Sequence, residues 1–335
     1  MFKKKRLIAE FEEQSFIQII FPHKDTDWAE YLKEAQICFI NIINTIIKFQ
    51  KCLVITADLQ TTKQYFKENK NLFFVEYVTD DTWARDCSAL SIENNQTIEL
   101  LDFTFNGWGD KFNAERDNAL SQNIQQCYNK KLHTLEFVLE GGAIESNGSG
   151  TILTTTQCMF NPNRNPNNNT ISITQKLKES FGAKHILYLN HGYLAGDDTD
   201  SHIDTLARFI NENTIIYVSC QDQEDEHYHQ LQLMQEELHM LAKEHNLKLI
   251  ELPLPSAVYY EKERLPATYA NFLFVNGAVL VPTYGVKEDA IALEIFQKTF
   301  CDREIIGIDC TLLIRQHGSL HCVTMNFPAD VGLRC

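Results

Sequence analysis

SFIQIIFP at residues 15–22, CLVIT at 52–56 and LFFVEYV at 72–78 are three short apolar runs, and what lies between them decides the fold. Runs of this length and composition read as buried strands. Between the first two, Trp28, Tyr31, Leu32, Ala35, Phe39, Ile42, Ile43 and Ile46 recur at three- and four-residue steps, with Asp27 placed to cap them. That spacing is one face of an amphipathic helix. A second helix is expected over 62–68. Strand, helix, strand, helix, strand is the order of an α/β protein.

The cadence continues outward. Helices are predicted over 170–181, 226–244 (Leu231, Met234, Leu238 and Leu241 on one face) and 287–300. Strands are predicted over 185–189, 202–210, 214–220, 247–254, 304–308 and 320–325. Residues 272–282 read as a hairpin turning at Asn276-Gly277. The polar run NPNRNPNNN at 161–169 reads as a surface loop.

Composition sets limits. The chain has 335 residues, 44% hydrophobic and 22% charged, which excludes a disordered or fibrous protein and by length alone favours two domains. Thirty Lys+Arg against 45 Asp+Glu give a net charge of -15. Such a surface repels nucleic acid and anionic lipid and suits cationic partners. The basic start MFKKKR is followed by Glu10, Glu12 and Glu13 rather than an apolar core, so no secretory signal is read, and no segment is apolar enough to span a membrane. A cytoplasmic protein is expected. The ten cysteines are scattered and contain no C-x-x-C, which argues against structural zinc and for mostly free, buried thiols.

Four segments break the pattern of polar loop and apolar core. Asp81-Thr82-Trp83-Ala84-Arg85-Asp86 follows the strand at 72–78; a surface turn with an Arg–Asp pair is the plain alternative. A strand ending at Leu139 runs into Glu140-Gly141-Gly142, where glycines allow close backbone approach or simply a tight turn. In Gly196-Asp197-Asp198-Thr199-Asp200-Ser201-His202-Ile203-Asp204, His202 and Asp204 would share one face of a strand. Asp197, Asp198 and Asp200 could instead hold calcium, although the EF-hand spacing is absent. In His317-Gly318-Ser319-Leu320-His321-Cys322, a strand would turn His321 and Cys322 to opposite faces. A nucleophilic Cys322 would then need His202 as its base, the alternative being a core thiol. A thiol, an imidazole and many carboxylates do not suit a protease, whose oxyanion needs donors. They suit a guanidinium, whose N–H groups pair with carboxylates.

These segments resemble the agmatine deiminases of the guanidino-group-modifying (pentein) superfamily, which also holds bacterial peptidyl-arginine deiminase. The match runs in order through FPHKDTDW, DTWARD, DFTFNGWG, VLEGGAIESNGSGTILTT, DDTDSHIDTLARF, YANFLFVNGAVLVPTYG and GSLHCVTMNFP. The resemblance implies a five-bladed, pseudo-symmetric α/β propeller, one catalytic domain over 1–335 built of about five ββαβ-type units. It implies hydrolysis of agmatine to N-carbamoylputrescine and ammonia, a step of putrescine and polyamine biosynthesis, through a covalent intermediate on Cys322. His202 would be the general acid/base, held by Glu140, with Asp86 and Asp204 gripping the guanidinium. Trp83 would wall the channel, Asp198 would stand near the distal amine, and Asn271 and Gly318 would shape the site. No metal or organic cofactor is called for, and a homodimer is implied. Two departures bear on distal specificity: His317-Gly318-Ser319 replaces the family's Gly-Gly-Gly-Asn run, and Asp198 stands for the usual Glu. A deiminase of free or peptidyl arginine, with Arg85 or Arg208 reading a carboxylate, and a catalytically silent pentein-fold binding protein are the alternatives.

Overall fold

The computed structural model describes residues 5–335, so the first four residues of the N-terminal basic run lie outside it. The fold is mixed α/β. Five of the six sheets among the described residues share one pairing pattern, an antiparallel pair followed by a parallel one. Leu90–Asn94, Thr97–Thr104 and Leu132–Val138 form one such set. Ile144–Ser146, Thr151–Thr155 and His185–Leu189 form the next. Ala207–Asn211, Thr214–Ser219 and Lys248–Pro253 follow, then Leu273–Val275, Ala278–Thr283 and Glu304–Asp309. The fifth set joins distant parts of the chain: Thr324–Pro328 runs antiparallel to Gln14–Ile20, which lies parallel to Lys51–Thr56, itself parallel to Leu72–Glu76.

The pattern has a simple cause. Antiparallel neighbours need only a tight turn, whereas parallel neighbours need a crossover. Helices Leu32–Ile46, Thr170–Phe181, Tyr228–His245 and Glu288–Thr299 supply four of these crossovers. Helix Thr170–Phe181 shows why its ends fall where they do. Asn169 and Ser172 form a capping box, and Gly182 closes the helix in the left-handed region at φ 60. Leu231, Met234 and Leu238 bury the inner face of Tyr228–His245 against Phe209 and Tyr217, while Leu241 is only half-buried.

Several expectations need correction. Asp27 caps nothing: a 3₁₀ turn at Ala29–Tyr31 precedes the helix, which starts at Leu32. Trp28 is buried instead against Phe39 and Trp83. The second helix is Leu59–Lys63, set by Asp58 accepting from the Thr61 amide at 3.0 Å. The strand expected over 202–210 starts only at Ala207, because Ile203–Thr205 is a 3₁₀ turn. The strand expected over 320–325 starts at Thr324, so His321 and Cys322 sit in the turn before it. Both misreadings share a cause. These residues are buried by one another at strand ends, and burial there mimics strand periodicity. No helix among the described residues is long and apolar enough to cross a membrane.

Candidate active site

The short turns Ala84–Cys87, Gly141–Ala143 and Ile203–Thr205 pack on one another, beside the segment leading into Thr324–Pro328. Each therefore presents its polar side chains to a common centre. Glycine makes the approach possible: a Cβ on Gly142 would stand 2.6 Å from His202 Nδ1, 2.9 Å from Asp86 Oδ1 and 3.2 Å from Asp204 Oδ2. The Gly142 amide donates to Asp86 Oδ1 at 2.9 Å.

The thiol of Cys322 lies 3.5 Å from Asn271 Oδ1 and 3.9 Å from Asp204 Oδ2. Asn271 fixes both neighbours, donating to Asp204 Oδ2 at 3.2 Å and accepting from the His321 amide at 2.8 Å. Burial, then Asp204 and Asp86, push the thiol well above its ordinary value. His202 Nδ1 stands 3.7 Å from Asp86 Oδ1. Burial works against its imidazolium, but Asp86, with Cys158 and Glu140, outweighs this and raises His202 to about 10. Asp86 is itself raised by burial, against the opposing pull of His202.

Glu140 is fully buried, and its Oε1 accepts from Arg164 Nε at 2.8 Å. Its other oxygen has no partner, and neither do His202 Nε2 or Asp204 Oδ1. Arg164 continues to Asp200 Oδ2 and the Thr199 carbonyl, both at 2.8 Å. Asp200 and Ser201 are thereby held in the left-handed region, at φ 65 and 63. The loop expected to lie on the surface at 161–169 thus sends one arginine inside, 4% exposed, because buried Glu140 requires a cation.

Outside the thiol lies a cavity of about 280 Å³. Asp25, Asp27, Asp80, Asp81, Asp86, Asp117, Asp197 and Asp198 line it, with Trp83, Trp108, Phe112, His317, Gly318 and Cys322, and among the described residues no lysine or arginine does. Trp108 Nε1 donates to Asp86 Oδ2 at 3.0 Å and Trp83 Nε1 to Asp81 Oδ2 at 2.9 Å. Asp198 is 43% exposed at the rim, with His317 Nδ1 3.9 Å away. His317 Nδ1 also lies 2.7 Å from the Gly196 carbonyl, tying the two rim loops together.

The structure thus brings Asp86, His202, Asp204, Asn271 and Cys322 together, with Glu140 behind His202 and with Trp83, Asp198 and Gly318 along the cavity. Arg85 and Arg208 do not reach it. Both are buried and bonded to Glu10, with Arg85 also on Asn326 and Arg208 also on Glu145. Nor do the loop acids converge as calcium ligands. Asp200 pairs with Lys111 and Arg164, and Asp197 accepts from Thr199 and Ser201. Sequence reasoning missed Glu10, Trp108, Cys158 and Arg164, and turned His321 to the face opposite Cys322, whereas it stands 2.7 Å from Asp204. Only Trp108 carried a usable signal, a tryptophan between two glycines, which here take φ of 64 and 86.

The chain was compared with known proteins. The family model for Porphyromonas-type peptidyl-arginine deiminase matches residues 6–328. A Lactococcus lactis protein provisionally named an agmatine deiminase is 30% identical, the match covering 96% of this chain and 95% of that protein. The structure of C. jejuni agmatine deiminase with substrate bound, in a cysteine-to-serine variant, has a TM-score of 0.93 at 43% identity, covering 99% of this chain and 98% of that one. A Porphyromonas gingivalis structure provisionally named an arginine deiminase has a TM-score of 0.94 at 44% identity, covering 99% and 100%. This chain belongs to the Porphyromonas-type peptidyl-arginine deiminase family, among whose relatives are the agmatine deiminases.

Proposed function

We propose that this protein hydrolyses the guanidino group of agmatine to N-carbamoylputrescine and ammonia, a step toward putrescine and polyamines. The observation that carries the reading is the cavity: eight aspartates, two tryptophans and one thiol, with no cationic side chain of lysine or arginine. A substrate with a guanidinium at one end and an amine at the other finds a carboxylate for each. Asp86 and Asp204 receive the guanidinium, and their positions relative to Cys322 place its carbon near the sulfur. Trp83 walls the channel, Asp198 faces the distal amine at the rim, and Asn271 and Gly318 shape the floor and wall.

The thiol is neutral in the free site, and an arriving cation favours its ionisation, the proton passing to solvent. The thiolate adds to the guanidinium carbon. His202, protonated beside Asp86, delivers a proton from Nδ1 to the departing nitrogen, and ammonia leaves. The amidino-thioether on Cys322 is then attacked by water, whose proton returns to His202, and collapse to the ureido product frees the thiol. The negative charge of Glu140 behind the ring helps to keep it an imidazolium.

We further propose that the five sheets of like pairing are the blades of one propeller, a single catalytic domain over residues 1–335. Ten free cysteines support a cytoplasmic setting, and we expect a homodimer. Arginine is the second reading, favoured by the name of the P. gingivalis structure. Its carboxylate would face a cavity wall of aspartates. The test is ammonia release from agmatine, free arginine and a peptidyl arginine, with Cys322→Ala as blank. Agmatine should lead in kcat/KM by about a hundredfold or more. A preference for arginine, or full turnover by the Cys322→Ala protein, overturns the proposal.

A further inference from the structure

Two unpartnered atoms of the site need an explanation, His202 Nε2 and Glu140 Oε2. A buried polar atom without a hydrogen bond is costly, so each atom is open to a further partner. Both belong to one cluster. A nitrogen of His202, an oxygen of Glu140 and the Sγ of Cys158 lie within 4.8 Å of one another, and all three residues are buried. Cys158 is set there by the turn Thr156–Met159, where the Thr155 side chain accepts from the Cys158 amide at 3.4 Å.

Two of the three ligands also have a charged neighbour on the far side. His202 turns Nδ1 toward Asp86, at 3.7 Å, and Glu140 gives its other oxygen to Arg164, at 2.8 Å. The Arg164 bond on the second carboxylate oxygen is the kind of outer partner that accompanies metal ligands generally, and Asp86 gives His202 a carboxylate neighbour beyond hydrogen-bond distance. The donors are one sulfur, one nitrogen and one oxygen. This set suits zinc and fails calcium or magnesium, which need six or more oxygens.

We propose that Glu140, Cys158 and His202 bind a soft divalent cation, zinc above all, and that this cation switches the enzyme off. Binding forms a metal–sulfur and a metal–nitrogen bond and releases two protons to solvent, one from the Cys158 thiol and one from Nε2 of the His202 imidazolium. The cation takes the lone pair of His202 Nε2, so the ring can hold one proton and not two. An imidazolium can no longer form at the nitrogen facing the substrate. Cavity, thiol and Asp204 stay as they were, so the substrate still binds and turnover stops. The binding half stands on the cluster alone; the silencing half rests on His202 acting as general acid/base.

The experiment uses the full chain carrying Cys322→Ser, which removes the nucleophile as a ligand, and cobalt(II) as the probe. One equivalent should give a thiolate-to-cobalt charge-transfer band, and adding Cys158→Ser should abolish it. Glu140→Gln should weaken cobalt binding at least tenfold. X-ray absorption of the zinc-loaded protein should show one sulfur at about 2.3 Å and nitrogen or oxygen at about 2.0 Å. A band that survives Cys158→Ser, or a zinc shell without sulfur, overturns the site. If Cys158→Ser fails to fold, by circular dichroism, the absorption spectrum and Glu140→Gln decide. With Cys322 restored, zinc should lower kcat with KM unchanged, and a chelator should reverse it. Zinc bound at this site without loss of kcat overturns the switch. A protein that turns over no guanidino compound yet shows the cobalt band rejects the deiminase reading and leaves the site standing.

Discussion

His321 Nδ1 stands 2.7 Å from Asp204 Oδ2. Its other nitrogen lies 2.8 Å from Glu10 Oε2, so both ring nitrogens face carboxylates. Glu10 is held in turn by Arg85 and Arg208. Burial alone would raise Asp204, but the bond and charge of His321, with His202 and Arg208, hold it below the ordinary carboxylate range.

Replacing His321 by Gln keeps one donor and removes the charge. Asp204 should then titrate higher, so activity should fail at a higher pH on the acid side. We expect kcat/KM at about pH 5, relative to about pH 8, to fall about tenfold further than in the parent. A pH profile of unchanged shape would show that His321 does not act through Asp204.

Gly318 touches the face of Trp83. A Cβ there would come 2.1 Å from the ring, and Asp81 pins the indole from the other side. Gly318→Ala must therefore displace the tryptophan. The expected result is a KM for agmatine raised about tenfold, with a stability loss of about 1–3 kcal/mol from overpacking. Steady-state kinetics and thermal melting check both, and an unchanged KM would remove Trp83 from the substrate wall.

Arg164 and Glu140 are both almost wholly buried. Arg164→Met leaves a buried carboxylate without its cation. Breaking such a pair costs about 3–5 kcal/mol. Denaturant unfolding should show that loss, and a loss under about 1 kcal/mol would mean that solvent reaches Glu140.

Asp81 is raised to about 8 by burial, then by Asp27 and Asp117, and Asp117 is raised to about 7 mainly by burial. An acid raised on folding stabilises the fold at low pH and loses that contribution as pH climbs through its folded value. Melting temperature should thus decline between about pH 4 and pH 8, and Asp81→Asn should flatten the decline. An equally steep decline in the variant would place its origin elsewhere.

The sequence was most legible where one physical rule acts alone. Asn169 and Gly182 bracket a helix by local capping, and the helix predicted over 170–181 is the one observed. The Asn276-Gly277 hairpin follows from turn chemistry in the same way. The site was legible as residue types and less so as geometry. His202 and Asp204 meet across a 3₁₀ turn rather than along a strand. Glu10, Arg164 and Cys158 were invisible because their roles come from partners far along the chain. A buried carboxylate selects its arginine through space, and no local spacing encodes that choice.

The pairing of Thr324–Pro328 with Gln14–Ile20 has a consequence for biosynthesis. A ribosome releases residues 14–20 long before it releases 324–328, and Cys322 emerges with the latter. The nascent chain therefore keeps an open sheet edge, and lacks the proposed nucleophile, through most of its translation. The step that seals the edge also delivers the Cys322 sulfur, so the proposed chemistry awaits a whole sheet.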